Sequence, residues 1–263
     1  MKKQCESNRK AWNAAAEYHQ KAMAEEWLEG FTKNGYVTFD DNEKSVYAKV
    51  DFVGKSVVQL PCNNGREILS FLNMGADFGL GIDISDDNID FANKLKEVSG
   101  LNAEFMRENV YELPDTFDGH FDVAIISVGS FNWMPDLSLY LQVIKRLLKQ
   151  TGELLIYEMH PMTGVFPYTF DKNKPLEFEG SYFSKEAYVA NEGLDYYGQT
   201  EYEGPTTYEY QHTMSSVIQT LIDLKFSIVE FCEYPWDIAG GHAYLENEKR
   251  IPLSYSLKMK KSE

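Results

Sequence analysis

The sequence is poor in cysteine and in basic residues. Its 263 residues include three cysteines, Cys5, Cys62 and Cys232, whose spacing allows neither a Cys-x-x-Cys motif nor a disulfide framework. Lysine and arginine total 25 against 41 aspartates and glutamates, which gives a net charge of −16. Such a field repels phosphate backbones and anionic membranes. We therefore expect neither bulk nucleic acid nor a membrane as a partner.

Long apolar runs are also missing. No run approaches the roughly 18 residues that a membrane-spanning helix needs. The first ten residues, MKKQCESNRK, are basic but lead into no apolar segment of the kind found in a signal peptide. Together with the few cysteines, these absences predict a protein of the reducing cytoplasm.

Short apolar runs alternate with amphipathic segments from residue 55 to residue 160. The runs SVVQL, FGLGIDI, FDVAIISV and ELLIYEM have the composition of buried strands. Helical patterns of about ten to fifteen residues separate them, and this alternation predicts βαβ units and a parallel sheet. Another helix is predicted over residues 7–29, with Ser7 as its N-cap. Thr151-Gly152 is expected to end the helix that begins at Leu137.

These patterns divide the chain into three parts. Residues 1–50 form a helical segment, residues 51–162 and 212–263 form the α/β core, and residues 163–211 form an irregular or antiparallel insertion that is rich in tyrosine and phenylalanine. Aromatic clusters bind apolar or planar ligands and hold cations over ring faces. With the negative charge, this favours a neutral or cationic small substrate. The same aromatics would also suit a closed cap or a dimer interface, and a monomer and a homodimer both remain open.

The residues that follow each strand are the candidate site, because open α/β sheets bind ligands beyond the carboxyl ends of their strands. The loop LPCNNG follows the first strand, and Gly65 would let the next helix begin close to the sheet. N–H groups at such a helix start suit polar or anionic ligand groups. Asp83 ends the second strand, where a carboxylate accepts hydrogen bonds from ribose hydroxyls. Its alternative role is to cap the following helix, for which Ser85 competes.

Taken together, the order and spacing of five segments resemble the class I S-adenosylmethionine-dependent methyltransferases of the small-molecule branch. The segments are VVQLPCNNGREILSFLNMGA, GLGIDISDDNIDFANK, FMRENVYELPDTFDGHFDVAIIS, SFNWMPDL and LLKQTGELLIYEMHP. The resemblance covers about residues 10–160 and, more loosely, 205–260. It implies a Rossmann-like, doubly wound sheet of seven mostly parallel strands, an N-terminal helical lid and an insertion after the fifth strand. It also implies methyl transfer from S-adenosylmethionine by in-line displacement, with S-adenosylhomocysteine as product.

The first loop departs from the family pattern, which is acidic-x-Gly-x-Gly-x-Gly. Gln59 stands in place of the acid, and Pro61 and Asn63 stand in place of the first two glycines. Asparagine tolerates left-handed backbone angles, whereas Pro61 removes one N–H. The CNNG loop is similar to that of a sub-branch of the family. The departures leave a non-catalytic cofactor-binding or scaffold protein as an alternative. An NAD(P)-dependent oxidoreductase is a further alternative, although the loop is not GxGxxG.

The resemblance also implies which residues contact the cofactor. Within the first loop, which includes Cys62 and Gly65, the backbone of Pro61 and Asn63 would approach the methionine part. Cys62 itself would be either a reactive thiol or a small buried side chain. The remaining implied contacts are Asp83 to the ribose, Ile84, Asn109 and Val110 to the adenine, Ser127 and Val128 to the sulfonium region, and Tyr18 over the methionine end.

Methyl transfer needs a base only where the acceptor must lose a proton. Glu158 and His160 end the fifth strand two residues apart, so they share one side of it, and His212 precedes the next helix. These three are the candidate bases, and the two histidines have capping roles as the alternative. No ligand motif predicts a metal site. The other histidines, His19, His120 and His242, are expected at the surface.

Overall fold

The computed structural model describes residues 1–168, 170, 171, 173 and 175–262. The strands in this part of the chain are β1 (Ser56–Gln59), β2 (Phe78–Asp83), β3 (Ala103–Arg107), β4 (Phe121–Ile126), β5 (Leu148–Met159), β6 (Tyr188–Glu192), β7 (Glu203–Glu209), β8 (Phe226–Tyr234) and β9 (Ser254–Lys261). Seven of them form one sheet in the order β3-β2-β1-β4-β5-β9-β8. Strands β1 to β5 are parallel, and β9 is antiparallel to both of its neighbours. The Rossmann-like, mostly parallel sheet of seven strands is thereby confirmed.

Helices cover both faces of this sheet. They are α1 (Lys2–Phe31), α2 (Asp41–Tyr47), α3 (Arg66–Asn73), α4 (Asp86–Ser99), α5 (Leu137–Leu147) and α6 (Met214–Asp223). One hydrophobic core lies between the sheet and α5 and α6. The other lies between the sheet and α1 to α4. Neighbouring residues of one strand enter opposite cores, as Val57 and Val58 do, because strand side chains alternate between the two faces.

Two predicted helix boundaries are wrong. Helix α1 begins at Lys2 rather than after Ser7, whose hydroxyl donates a hydrogen bond of 2.5 Å to the carbonyl of Thr206 instead of capping the helix. Helix α5 runs directly into β5 at Leu148. Thr151-Gly152 therefore lies inside the strand and ends no helix. At Ser7 a tertiary hydrogen bond overrides the local capping preference, and at Thr151-Gly152 strand pairing overrides the local preference for a turn.

The insertion contains an antiparallel hairpin of β6 and β7, which is one of the two alternatives predicted for it. Strand β7 packs against α1, where the amide of Asn8 exchanges two hydrogen bonds with the backbone of Tyr208, at 2.9 and 2.8 Å. The prediction of surface histidines is wrong for His19 and His242, which are 1% and 4% exposed. His19 packs against Tyr196 and Tyr197 of the insertion, and His242 packs against the ring of Tyr168. His120 is exposed, as predicted. None of the helices in the described ranges is long and apolar enough to cross a membrane.

Candidate active site

The loop after β1 lies where the strand order reverses, since β1 has β2 on one side and β4 on the other. The backbone N–H of Cys62 donates to the carbonyl of Ile82 at 2.9 Å, which joins this loop to β2. Asn63 has a left-handed φ of 50°, which asparagine tolerates. Gly65 has a φ of 75°, and a Cβ there would lie 2.5 Å from the ring of Phe105. The CNNG loop therefore makes the tight strand-to-helix turn in which the family uses glycines.

Asp83 is buried at the end of β2, and its carboxylate accepts two backbone hydrogen bonds. The donors are the N–H groups of Asn63, at 2.8 Å, and Ser85, at 2.9 Å. Burial raises the pKa of Asp83 to about 6, although these hydrogen bonds oppose the shift. Ser85 caps α4 by accepting from the N–H of Asn88, so Asp83 is not needed as a cap. Each carboxylate oxygen can accept a further hydrogen bond.

Ile84 and Asn109 line one cavity of about 590 Å³. It lies between the first turns of α1 and the loops that follow β2 and β3, so two of the residues implied for adenine share one space. Asn109 uses its side-chain oxygen to accept the N–H of Tyr111 at 3.1 Å. Val110 is buried in the core beside them.

A larger cavity of about 710 Å³ lies at the opposite edge of the sheet, near the starts of β1 and β4. Its lining is charged and includes Lys55, Asp122 and Lys258. Several of its charges are already paired, for example Asp122 with Lys149 at 2.8 Å. It contains none of the predicted site residues and lies away from the strand ends that form the candidate site.

A buried polar cluster lies between the ends of β1 and β4. Gln59 donates from its amide nitrogen to the Ser127 hydroxyl, at 2.8 Å, and to the carboxylate of Glu67. The amide oxygen of Gln59 is buried and has no hydrogen-bond partner among the described residues. Glu67 was not predicted as a site residue from the sequence. The available signal was that β1 carries glutamine in place of the family's acid while the first turn of the next helix carries a carboxylate. Val128 follows Ser127 and is partly exposed.

Tyr196, which lies in the insertion, contacts the first loop. Its hydroxyl lies 3.5 Å from the side-chain amide nitrogen of Asn63. The ring lies 4.3 Å from His19, centroid to centroid, and 6.3 Å from Trp12, both on α1. Tyr18, which the resemblance implied for this place, instead stacks on Tyr202 of the insertion at 4.3 Å. The aromatic side chains nearest the first loop were therefore missed, because helical periodicity does not reveal which segment covers a helix face.

Glu158 is fully buried, and its carboxylate holds the loop that follows β4. It accepts hydrogen bonds from the N–H groups of Gly129, Phe131 and Met159, at 2.9, 2.8 and 2.9 Å. Burial raises the pKa of Glu158 to about 7 against the effect of these donors. Glu158 therefore fixes the backbone of the loop that follows Ser127.

The two candidate histidines are also bonded to their surroundings. His160 accepts the N–H of Met162 at Nδ1, over 3.1 Å, and its Nε2 lies 3.1 Å from the carboxylate of Glu233. His212 has Nε2 2.8 Å from the carbonyl of Met134. Burial lowers the pKa of both histidines. Both nitrogens of His160 are therefore engaged, which favours a positioning role, and the three assignments as bases stay predictions.

Two further predictions concern the reactivity of the Cys62 thiol and the presence of a metal site. Cys62 is 3% exposed, and burial raises the pKa of its thiol well above the ordinary value. This favours the buried-side-chain alternative, because a reactive cysteine needs access and thiolate character. No three metal-binding side chains cluster within the part of the chain that the structure describes.

Comparisons with known proteins agree with this geometry. A family model described as a methyltransferase domain matches residues 51–193, more than half of the chain. A ubiquinone biosynthesis O-methyltransferase from Methylococcus capsulatus is 28% identical over 107 residues, which is 41% of this chain and 44% of that protein.

Two solved structures share the fold. An S-adenosylmethionine dependent methyltransferase from Mesorhizobium loti aligns with a TM-score of 0.62 and 17% identity, over 83% of this chain and 97% of that one. The 1,6-didemethyltoxoflavin-N1-methyltransferase from Burkholderia thailandensis, crystallised with its substrate and S-adenosylhomocysteine, aligns with a TM-score of 0.54 and 16% identity, over 94% and 84%. The chain belongs to the class I S-adenosylmethionine-dependent methyltransferases, whose cofactor is S-adenosylmethionine.

Proposed function

We propose that this methyltransferase acts on a small molecule, neutral or cationic, that binds between α1 and the insertion. The observation that carries the proposal is the position of Tyr196, which packs against Trp12 and His19 of α1 and reaches Asn63 of the first loop. Aromatic side chains beside the loop favour planar or cationic acceptor groups. The net charge of −16 disfavours a polyanionic acceptor.

Two relatives support a small acceptor by analogy. The Burkholderia enzyme holds a small heterocycle, and the Methylococcus relative is named for ubiquinone biosynthesis. In this proposal, residues 1–50 serve as the lid, residues 163–211 serve as the substrate-side cap and the remaining residues form the core. The protein acts in the cytoplasm as a monomer or a homodimer.

The side chains at the strand ends fit the cofactor chemically. Asp83 would accept hydrogen bonds from the ribose hydroxyls, and Ile84 and Asn109 would surround the adenine in their shared cavity. Bound S-adenosylmethionine supplies a methyl group on a positively charged sulfur, which is already activated for in-line displacement.

The protein's own contribution is then to orient the acceptor and exclude water, effects that supply roughly 7–11 kcal/mol in well-aligned systems. Glu158 fixes the loop after β4, and Tyr196 closes the site from the insertion side.

Thermal unfolding with and without S-adenosylhomocysteine is the first test, with NAD as control. A ligand at about 100 times its dissociation constant stabilises a protein by roughly 2.7 kcal/mol, which is a shift of several degrees for a chain of this size. Transfer of a radioactive methyl group is then measured on planar phenols, heterocycles and amines, with a polyphosphate-bearing acceptor as comparison. Turnover on the anionic acceptor alone would contradict the proposed substrate class. A shift with NAD alone would contradict the cofactor.

A further inference from the structure

We propose that Glu67, Gln59 and Ser127, here called the β1–β4 polar cluster, bind the ammonium group of the cofactor's methionine part. Glu67 would supply from α3 the carboxylate that β1 lacks at Gln59. The inference deepens the proposed function and rests on the binding of S-adenosylmethionine.

The cluster lies at the switch in strand order. Gln59 is the last residue of β1, Ser127 follows the adjacent parallel strand β4, and Glu67 lies in the first turn of α3. In sheets of this kind the ligand-binding crevice opens at this point. The first loop, whose backbone is expected to approach the methionine part, connects Gln59 to Glu67.

The orientation of the Gln59 amide is fixed by its neighbours. Its nitrogen donates to the Glu67 carboxylate and to the Ser127 hydroxyl, and a flipped amide would turn an oxygen toward the carboxylate. The amide oxygen is consequently left as an acceptor. It is buried in a residue that is 1% exposed, and nothing within the described ranges donates to it. A buried acceptor without a donor costs free energy, which a donor group of a ligand would recover.

Charge decides which donor fits. Glu67 is 9% exposed, and the nearest cation paired with it is the guanidinium of Arg66, at 3.8 Å, which is longer than a hydrogen bond. The cluster thus offers a carboxylate, an amide oxygen and a hydroxyl oxygen. An ammonium group has three N–H donors and a positive charge, so it complements all three acceptors. A ligand carboxylate would be repelled by Glu67.

The test removes the ammonium from the ligand and the carboxylate from the protein. Calorimetry measures the dissociation constants of S-adenosylhomocysteine and of its analogue with hydrogen in place of the α-amino group. For the unaltered protein we expect the analogue to bind at least tenfold more weakly. Glu67→Gln should weaken S-adenosylhomocysteine at least tenfold and change the analogue less than twofold. Glu97→Gln, which removes an exposed carboxylate on α4, should change neither.

Equal weakening of both ligands by Glu67→Gln, or no weakening of either, would overturn the inference while leaving the cofactor in place. An unaltered protein that binds neither ligand would overturn the cofactor and the inference together. If Glu67→Gln fails to fold, as judged by circular dichroism, Ser127→Ala takes its place. It should weaken S-adenosylhomocysteine about threefold more than it weakens the analogue, and an equal effect on both would again contradict the assignment.

Discussion

The backbone N–H of Asn63 donates a hydrogen bond of 2.8 Å to the carboxylate of Asp83. This bond joins the first loop to the end of β2, so the segment expected at the methionine part and the acid expected at the ribose form one unit. A change at either residue should therefore alter the binding of both parts of the cofactor.

Asp83→Asn should weaken S-adenosylhomocysteine at least tenfold, which corresponds to about 1.4 kcal/mol. The amide lacks the negative charge that strengthens hydrogen bonds from the two ribose hydroxyls. Its NH₂ group would also face one of the two backbone N–H groups that donate to Asp83. Calorimetry measures the effect. Asp90→Asn, at an exposed position on α4, serves as the control. An unchanged dissociation constant for Asp83→Asn would rule out the ribose assignment.

Cofactor binding should depend on pH through the same carboxylate. Burial raises the pKa of Asp83 to about 6, so the carboxylate loses its charge as the pH falls below that value. The ionised form accepts hydrogen bonds from the ribose hydroxyls, and the affinity should therefore be constant above pH 7 and fall by up to about tenfold at pH 5. Calorimetry across this range measures the profile. Asp83→Asn should flatten it, and an equally steep profile in that variant would assign the effect to another group.

Glu158→Gln should destabilise the fold without changing the charge of the surface. The carboxylate accepts from Gly129, Phe131 and Met159, and an amide leaves at least one of these N–H groups facing another donor. The free energy of unfolding, measured with urea, should fall by about 1–3 kcal/mol. Glu153→Gln on the same strand is the matched control, because its lysine pairs lie near the surface and contribute at most about 1 kcal/mol. Similar losses in both variants would contradict the role given to Glu158.

Tyr196→Ala should increase the rate at which S-adenosylhomocysteine dissociates. The ring contacts His19 and Trp12, and its loss removes aromatic pairs that contribute about 0.5–1.5 kcal/mol each. We expect the dissociation rate, followed by stopped-flow fluorescence, to rise roughly two- to tenfold. Tyr188→Ala, at a tyrosine on β6 that is 64% exposed, should leave the rate unchanged. Equal rates in all three proteins would show that the insertion does not retain the cofactor.

The strands and the sheet could be predicted because buried strands leave their periodicity in the sequence, as FDVAIISV does for β4. The left-handed turn at Asn63 and the close packing at Gly65 followed from backbone preferences alone. Contacts between segments that are distant in the chain produce no comparable pattern in the sequence. Ser7 bonds to Thr206, and the imidazole of His19 bonds to the carbonyl of Leu194. Because of these partners, Ser7 bonds to the insertion instead of capping α1, and His19 is buried instead of exposed.

Glu67 illustrates a third kind of limit. Its residue type and its place in a helix were readable, but its contact with Gln59 depends on the rotation of α3 relative to β1. That rotation depends on how the side chains of α3 pack against the sheet, which no local sequence pattern encodes.

The pairing of Asn8 with Tyr208 also has a consequence for synthesis of the protein. The two residues are 200 positions apart, so at about 5–20 residues per second the ribosome needs on the order of 10–40 s to produce the partner. During that interval the start of α1 lacks β7, to which Ser7 and Asn8 are hydrogen-bonded in the folded protein. A chain stalled before the hairpin would therefore carry five of the seven strands of the main sheet and an α1 whose first turns lack their partner strand, a form that chaperones and proteases can distinguish from the finished enzyme.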